Sequence, residues 1–452
     1  MSYVGLTPRE EQRMLQGIGV ARFEDLLSAV PASVRLDRPL DIPGPWSEIE
    51  LRRAFGAWAR TNAADRAASF LGGGMYDHYV PSAVGALASR SEFATAYTPY
   101  QPEVAQGTLT AIFEFQSMIA ELTGCAVANA SLYDGATAMV EGALLARAHT
   151  RRDRVVVAGA LHPHYLAVLK TYLDPHDVAI VADRGGQCAP EDLKAALGGD
   201  VACVIFQHPN FFGLLETTHA LTALAHEIGA LAVAVCDPIA LALLDPPGRA
   251  AAQGGAGADI VVGEGQPLGN PPSFGGPALG LFACSQALVR RMPGRLVGET
   301  VDRDGRRGFV LTLQTREQHI RREKATSNIC TNQGLVALRA TIYLGLLGAQ
   351  GLREVAELCV QKSHHAARLA TAIPGYRLVH GDAFFREFVL ECPTDAATVI
   401  RAGRAHDVLA GVDLGQFRPE WKRWLLVAVT EQRSVEEIER WAGALRAVKG
   451  AS

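Results

Sequence analysis

The chain has 452 residues, 48% of them hydrophobic and 20% charged, with 43 Lys+Arg against 47 Asp+Glu and a net charge of −4. Balanced charge supplies no basic surface to neutralise phosphates, so nucleic acid is not an expected partner. The length is enough to bury a core without metal or disulfide staples. The start Met1-Ser2-Tyr3-Val4 lacks the basic-then-apolar layout of an export leader. The longest apolar run, Ile228 to Leu244, is short for a membrane helix and broken by Asp237-Pro238, so a cytoplasmic location without a membrane is expected. The eight cysteines are scattered with no CxxC pair, as expected of buried, reduced thiols.

In chain order, residues 1–65 read as a helical arm. Thr7-Pro8-Arg9-Glu10 is a capping-box start with Pro in the first turn, and the amphipathic pattern suits an arm laid over this chain's own core or a partner's surface. Residues 66–331 form a large α/β domain. Within it, Tyr97-Thr98-Pro99-Tyr100-Gln101-Pro102-Glu103 is too rich in proline for a helix interior or a central strand, and reads as a stiff loop. Asp134-Gly135-Ala136-Thr137 opens a helix. Arg154–Ala158, Val178–Val181, Cys203–Phe206, Leu231–Val235 and Ile260–Val262 are apolar apart from the leading Arg154 and alternate with helical stretches, the signature of a parallel sheet buried on both faces. Residues 332–452 read as a long connecting helix, from about Asn332 through Leu347, and a small α+β domain. That domain has strands near Phe388–Leu390 and Leu425–Val429 and a capped helix at Ser434.

Ligands of open parallel sheets sit beyond the carboxyl ends of the strands. Those positions hold His162 and His164, then His208-Pro209-Asn210, then Asp237, then Gly263-Glu264-Gly265-Gln266. Upstream, Asp134, Gly135 and Thr137 present a helix start to an anion. The order fits a pyridoxal phosphate enzyme of the aminotransferase type: a helix start for the phosphate, an imidazole over the ring, and an aspartate that keeps the pyridinium protonated. Each residue also has a plainer reading. The histidines have no paired metal-ligand spacing and suit hydrogen-bonded loops, Asp237-Pro238 suits a strand stop, and many ligand-free helices open this way.

Such an enzyme needs a lysine after the strand that follows Asp237. The lysines are Lys170, Lys194, Lys324, Lys362, Lys422 and Lys449, none of them there. Gln266 stands in that region, and an amide cannot form an imine.

Four motifs carry a family resemblance over nearly the whole chain: Tyr97–Glu103, Asn129–Ala138, Gln207–Gly213 and Arg322–Gln333, with Met14–Val20 also fitting. They resemble the amino-terminal half of glycine decarboxylase, the P protein of the glycine cleavage system, which in some members is a separate alpha subunit. The resemblance implies an aminotransferase-like fold, fold type I of the pyridoxal phosphate enzymes, with a mostly parallel sheet. It implies that pyridoxal phosphate is bound covalently by a beta subunit, subunit 2, whose lysine occupies the position of about Gln266.

It further implies decarboxylation of glycine and transfer of the aminomethyl group to the lipoyl arm of H protein. An assembly of two alpha and two beta subunits is the family expectation. Tyr97, Thr98, Tyr100, Gln101 and Glu103 are expected to be lent to the partner's site, Glu103 either in proton transfer or in holding the loop. Asp134, Gly135, Thr137, His162, His208, Asn210, Asp237 and Gln266 are expected to be a vestigial or shared cofactor site. Lys324, Arg321 and Arg322 suit a carboxylate, an acidic carrier surface or plain solvation. The competing readings are a non-catalytic scaffold with a degenerate fold, and a self-sufficient hydrolase or transferase using the histidines.

Overall fold

The computed structural model describes residues 5–36, 38–64, 66–250, 255, 257–325 and 327–448. Contacts divide the chain into two compact units, residues 1–62 and 63–452.

The first unit holds the helices Pro8–Ile18 and Glu48–Thr61, each opened by a reciprocal capping box, Thr7 with Glu10 and Ser47 with Glu50. The Thr7 box is the one its sequence predicts. Leu15 is buried, whereas Trp46, Phe55 and Trp58 are roughly half exposed, the last two as a ring pair 4.9 Å apart.

The second unit is organised around a seven-stranded sheet in the spatial order Val127–Ala128, Gly280–Cys284, Ile260–Glu264, Leu231–Cys236, Val201–His208, Arg154–Ala158, Val178–Val181. The last five are mutually parallel and are the strands their apolar runs predict. Gly280–Cys284 pairs antiparallel with both of its neighbours, a reversal that the sequence reading did not anticipate. Alternation sends Val155, Val157, Ile205 and Val233 to one face, against Met139 and Ala143 of the helix Gly135–Thr150. Val156, Val204, Phe206 and Ala234 go to the other face, against Leu193 and Leu221. Burial on both faces is why these strands tolerate no polar residue along their centres.

The predicted connecting helix is longer than its pattern implied: Gly334–Thr371, broken only at Gly348, where φ is 61°. Leu347 ended the readable periodicity because the glycine interrupts it. A four-stranded antiparallel sheet follows, in the order Arg377–Leu378, Glu387–Glu391, Trp424–Ala428, Val412–Asp413. Its helices, Ala396–Arg404 and Val435–Arg446, pack Val399, Ile438 and Trp441 into the core beside Phe388 and Leu425. Ala68–Ser69 pairs with Val408–Leu409, which leads the segment that follows, through Tyr76, across to this smaller sheet. Six cysteines are buried, Cys125 is partly exposed, and Cys330 is exposed, contrary to the expectation of uniformly buried thiols; none is bridged.

Candidate active site and a plugged cofactor cavity

At the carboxyl ends of the parallel strands a cavity is lined by His162, Tyr165, Asp237 and Glu264, with Tyr76, Arg386 and Glu387 closing it from the other side. Asp134, Gly135, Thr137 and Gln266 adjoin it through hydrogen bonds to Glu264 or within the helix start. His208 and Asn210 do not line it. His208 Nδ1 accepts from the Glu216 N–H at 3.1 Å. Asn210 uses its amide on Gly186 O and Glu216 Oε1 and its carbonyl on the Phe212 and Leu214 N–H groups. Both therefore shape the loop after their strand, and Asn210 also ties it to the loop at Gly186.

The groups expected to hold a cofactor are engaged by other groups of the chain. At the start of the helix Gly135–Thr150, the Gly135 N–H donates to Glu264 Oε2 at 3.0 Å. Glu264 Oε1 also accepts from the N–H groups of Gln266 at 2.9 Å and Leu279 at 2.8 Å. A carboxylate thus occupies the helix start that was expected to take a phosphate. Burial pushes Glu264 up to about 7, against the opposing pull of those donors. Asp134 caps the same helix, its Oδ1 accepting from the Thr137 N–H at 2.9 Å. A side chain at Gly135 would run into the Tyr165 hydroxyl and lie 2.9 Å from the Glu264 nitrogen, so only glycine lets the helix start this close to its plug.

Asp237, the candidate partner of a ring nitrogen, is ion-paired with the buried Arg386 instead. The Arg386 guanidinium carbon lies 3.5 Å from the centre of the Tyr76 ring, within cation–π range. The Tyr76 hydroxyl donates to Glu387 Oε2 at 2.6 Å, and the Gly73 N–H donates to Glu387 Oε1 at 2.7 Å. Gln266, in the region where the lysine is expected, is buried. Its Oε1 accepts from the Tyr76 N–H at 3.2 Å, and its Nε2 donates to Tyr76 O at 3.2 Å and Asn270 O at 2.5 Å. The remaining space is about 50 Å³, room for a few waters against the about 300–1,000 Å³ of a small-molecule pocket. Pyridoxal phosphate does not fit this chain's own cavity.

Sequence reading missed Tyr76, Arg386 and Glu387. The available signal was the charged pair Arg386-Glu387 in the middle of an otherwise apolar run, Phe384 to Leu390.

His162 donates from Nε2 to Gly73 O at 2.7 Å and accepts at Nδ1 from the His164 N–H at 3.0 Å, the pattern of a neutral ring. Burial pushes His162 and His208 down to about 4 from an ordinary 6.5. Between those values the unfolded chain binds more protons than the folded one. Stability is therefore complete above about pH 6.5 and is lost on acidification. At pH 5 each histidine should cost roughly 2 kcal/mol. Urea titrations at pH 7 and pH 5 should show this drop, and His208→Gln should remove its share; an unchanged pH slope would contradict the neutral burial.

The Tyr97–Glu103 loop lies apart from the plugged cavity. Pro99 is buried as its anchor and Thr98 is half buried, while Tyr97 is 88% exposed and Tyr100 47%. Gln101 and Glu103 are exposed as well. Among the described residues, the side chains of Tyr97, Gln101 and Glu103 make no hydrogen bond. Tyr97, Thr98 and Pro99 border a second cavity of about 260 Å³. Arg321, Arg322 and Lys324 are exposed on short turns.

The comparisons with known proteins agree with this layout. Residues 1–445 match the family model of the glycine cleavage system P-protein. Two relatives named probable glycine dehydrogenase (decarboxylating) subunit 1 cover 99% of this chain and 100% of their own length. They come from Moorella thermoacetica, 52% identical, and Chlorobium chlorochromatii, 51% identical. A crystal structure of glycine decarboxylase (P-protein) of the glycine cleavage system, in inhibitor-bound form, superposes with a TM-score of 0.88 at 45% identity over 99% of both chains. A Burkholderia pseudomallei sphingosine-1-phosphate lyase (TM-score 0.66, 16% identity, 92% of this chain and 94% of that one) and mouse CSAD (0.67, 14%, 91% and 90%) share the fold alone. The fold is the aminotransferase-like, fold type I architecture expected from the sequence. With its cofactor cavity closed by its own side chains and its resemblance running end to end, this chain belongs to the glycine cleavage system P-protein family.

Proposed function

We propose that this chain is the alpha subunit of a glycine decarboxylase, glycine dehydrogenase (aminomethyl-transferring), and that it works only with a second, lysine-bearing beta subunit. The pair decarboxylates glycine and passes the aminomethyl group to the lipoyl arm of H protein, in a cytoplasmic assembly of two alpha and two beta subunits. Pyridoxal phosphate, held by the beta subunit, supplies the electron sink for loss of carbon dioxide.

The observation that carries this reading is the contrast between two places on one chain. The internal cavity is filled by Glu264, Gln266, Tyr76 and the Asp237–Arg386 pair. The Tyr97–Glu103 loop, by contrast, turns Tyr97, Gln101 and Glu103 outward, and among the described residues their side chains make no hydrogen bond. Exposed groups on a stiff loop are ready to orient a substrate in a neighbour's site at little entropic cost. The exposed aromatic rings Trp46, Phe55 and Trp58 of the first unit suit the surface of a partner subunit. A decayed scaffold has no reason to keep such a loop.

The test is reconstitution. The chain alone should retain no pyridoxal phosphate after gel filtration and release no carbon dioxide from glycine. Mixing with the beta subunit and lipoylated H protein should produce glycine-dependent release. Retention of cofactor by the chain alone, or a beta subunit equally active without it, would refute the proposal.

A further inference from the structure

We propose that the second cavity is a carboxylate-binding site built on Arg295. Three arginines are buried among the described residues, Arg295, Arg386 and Arg433. Arg386 is paired with Asp237, and Arg433 with Asp77 and Glu437. Arg295 has no such partner. It is 5% exposed; its Nη1 donates to Thr331 Oγ1 at 3.0 Å and Asn332 Oδ1 at 3.4 Å, and its Nε is buried without an acceptor. Its guanidinium lies 5.7 Å from the Tyr100 ring centre. A buried cation satisfied by neutral oxygens alone, with one donor left over, is costly unless an anion completes it.

The space for that anion is present. Arg295 lines the 260 Å³ cavity together with Thr98, Thr331 and the first residues of the helix Gly334–Thr371. That helix opens at Gln333 without a side-chain cap, so its leading N–H groups add positive potential at the same place. The other walls, which include Ile112, Phe115 and Leu338, are mostly apolar, with Tyr97 and Thr108 as polar exceptions. The ligand is therefore a carboxylate on a short aliphatic stem, either a free small acid or an Asp or Glu side chain of another subunit. This site is distinct from the plugged cavity and does not require the proposed reaction.

Butyrate and its neutral isostere butyramide, titrated into the full chain and followed by ligand-observed NMR, test the site. Butyrate should bind at least tenfold more tightly than butyramide. Arg295→Met should weaken butyrate at least tenfold while leaving butyramide within twofold. Equal affinity for the two probes, or butyrate binding indifferent to Arg295, would overturn the assignment. Should Arg295→Met fail to fold, the butyrate-to-butyramide ratio on the unaltered chain and on Thr331→Val still decides. Repeating the titration with the beta subunit assembled identifies the source. Loss of butyrate binding there assigns the carboxylate to a partner side chain, and its retention assigns a free acid.

Discussion

Asp237→Ala should destabilise the folded chain by about 3–5 kcal/mol, the usual result of stripping a buried cation of its counter-charge. Arg386 cannot escape to solvent, because it is 1% exposed and lies 3.5 Å from the Tyr76 ring centre. Nor does a neighbour replace the lost carboxylate: Glu387 is already held by the Tyr76 hydroxyl and the Gly73 N–H. The double change Asp237→Ala with Arg386→Met should recover most of the loss, since a methionine fills similar volume and leaves no charge to compensate. Urea midpoints for the single and double variants give both numbers. A single-variant cost below about 1 kcal/mol, the range of exposed pairs, would mean that the aspartate is not locked to the arginine and is free for another ligand.

Tyr97→Ala should have the opposite profile. A residue 88% exposed contributes little to folding, so stability should stay within about 0.5 kcal/mol. In the assembled enzyme, losing a group that orients substrate should lower kcat/KM about 100-fold. Glu103→Gln separates its two roles. Loss of one limb of the pH–rate profile identifies proton transfer, and a uniform decrease identifies loop support. If the assembled Tyr97→Ala and Glu103→Gln enzymes were both fully active, the loop would not belong to the partner's site.

Much of the α/β layout was readable because it rests on local patterns. Val155–Val157 and Val204–Phe206 are apolar at every position, which only a strand buried on both faces requires. The capping boxes at Thr7 and Ser434 mark helix starts that the structure contains. The antiparallel strand Gly280–Cys284 was not readable, because strand direction is set by which neighbour a chain segment meets, and its apolar pattern is the same either way. The extension of the connecting helix past Gly348 was hidden by one residue with positive φ. At the site, proximity in sequence to strand ends located Asp237 and His162 at the cavity and Gln266 beside it, but it also suggested His208 and Asn210, whose hydrogen bonds are spent on Glu216, the Phe212 and Leu214 N–H groups and the neighbouring loop at Gly186.

By itself, the sequence determined that no lysine stands where the chemistry needs one, and that the Tyr97–Glu103 loop is stiff; both are properties of residue type and of proline geometry. Only the tertiary structure decided what became of the cavity left behind. Tyr76 meets Glu387 across 311 residues of chain, and Arg386 reaches Asp237 from a different sheet. Such contacts leave no local pattern. They exist because burying the strand ends of one sheet against the other brings unlike charges and a ring into the same small volume, where each lowers the cost of burying the next.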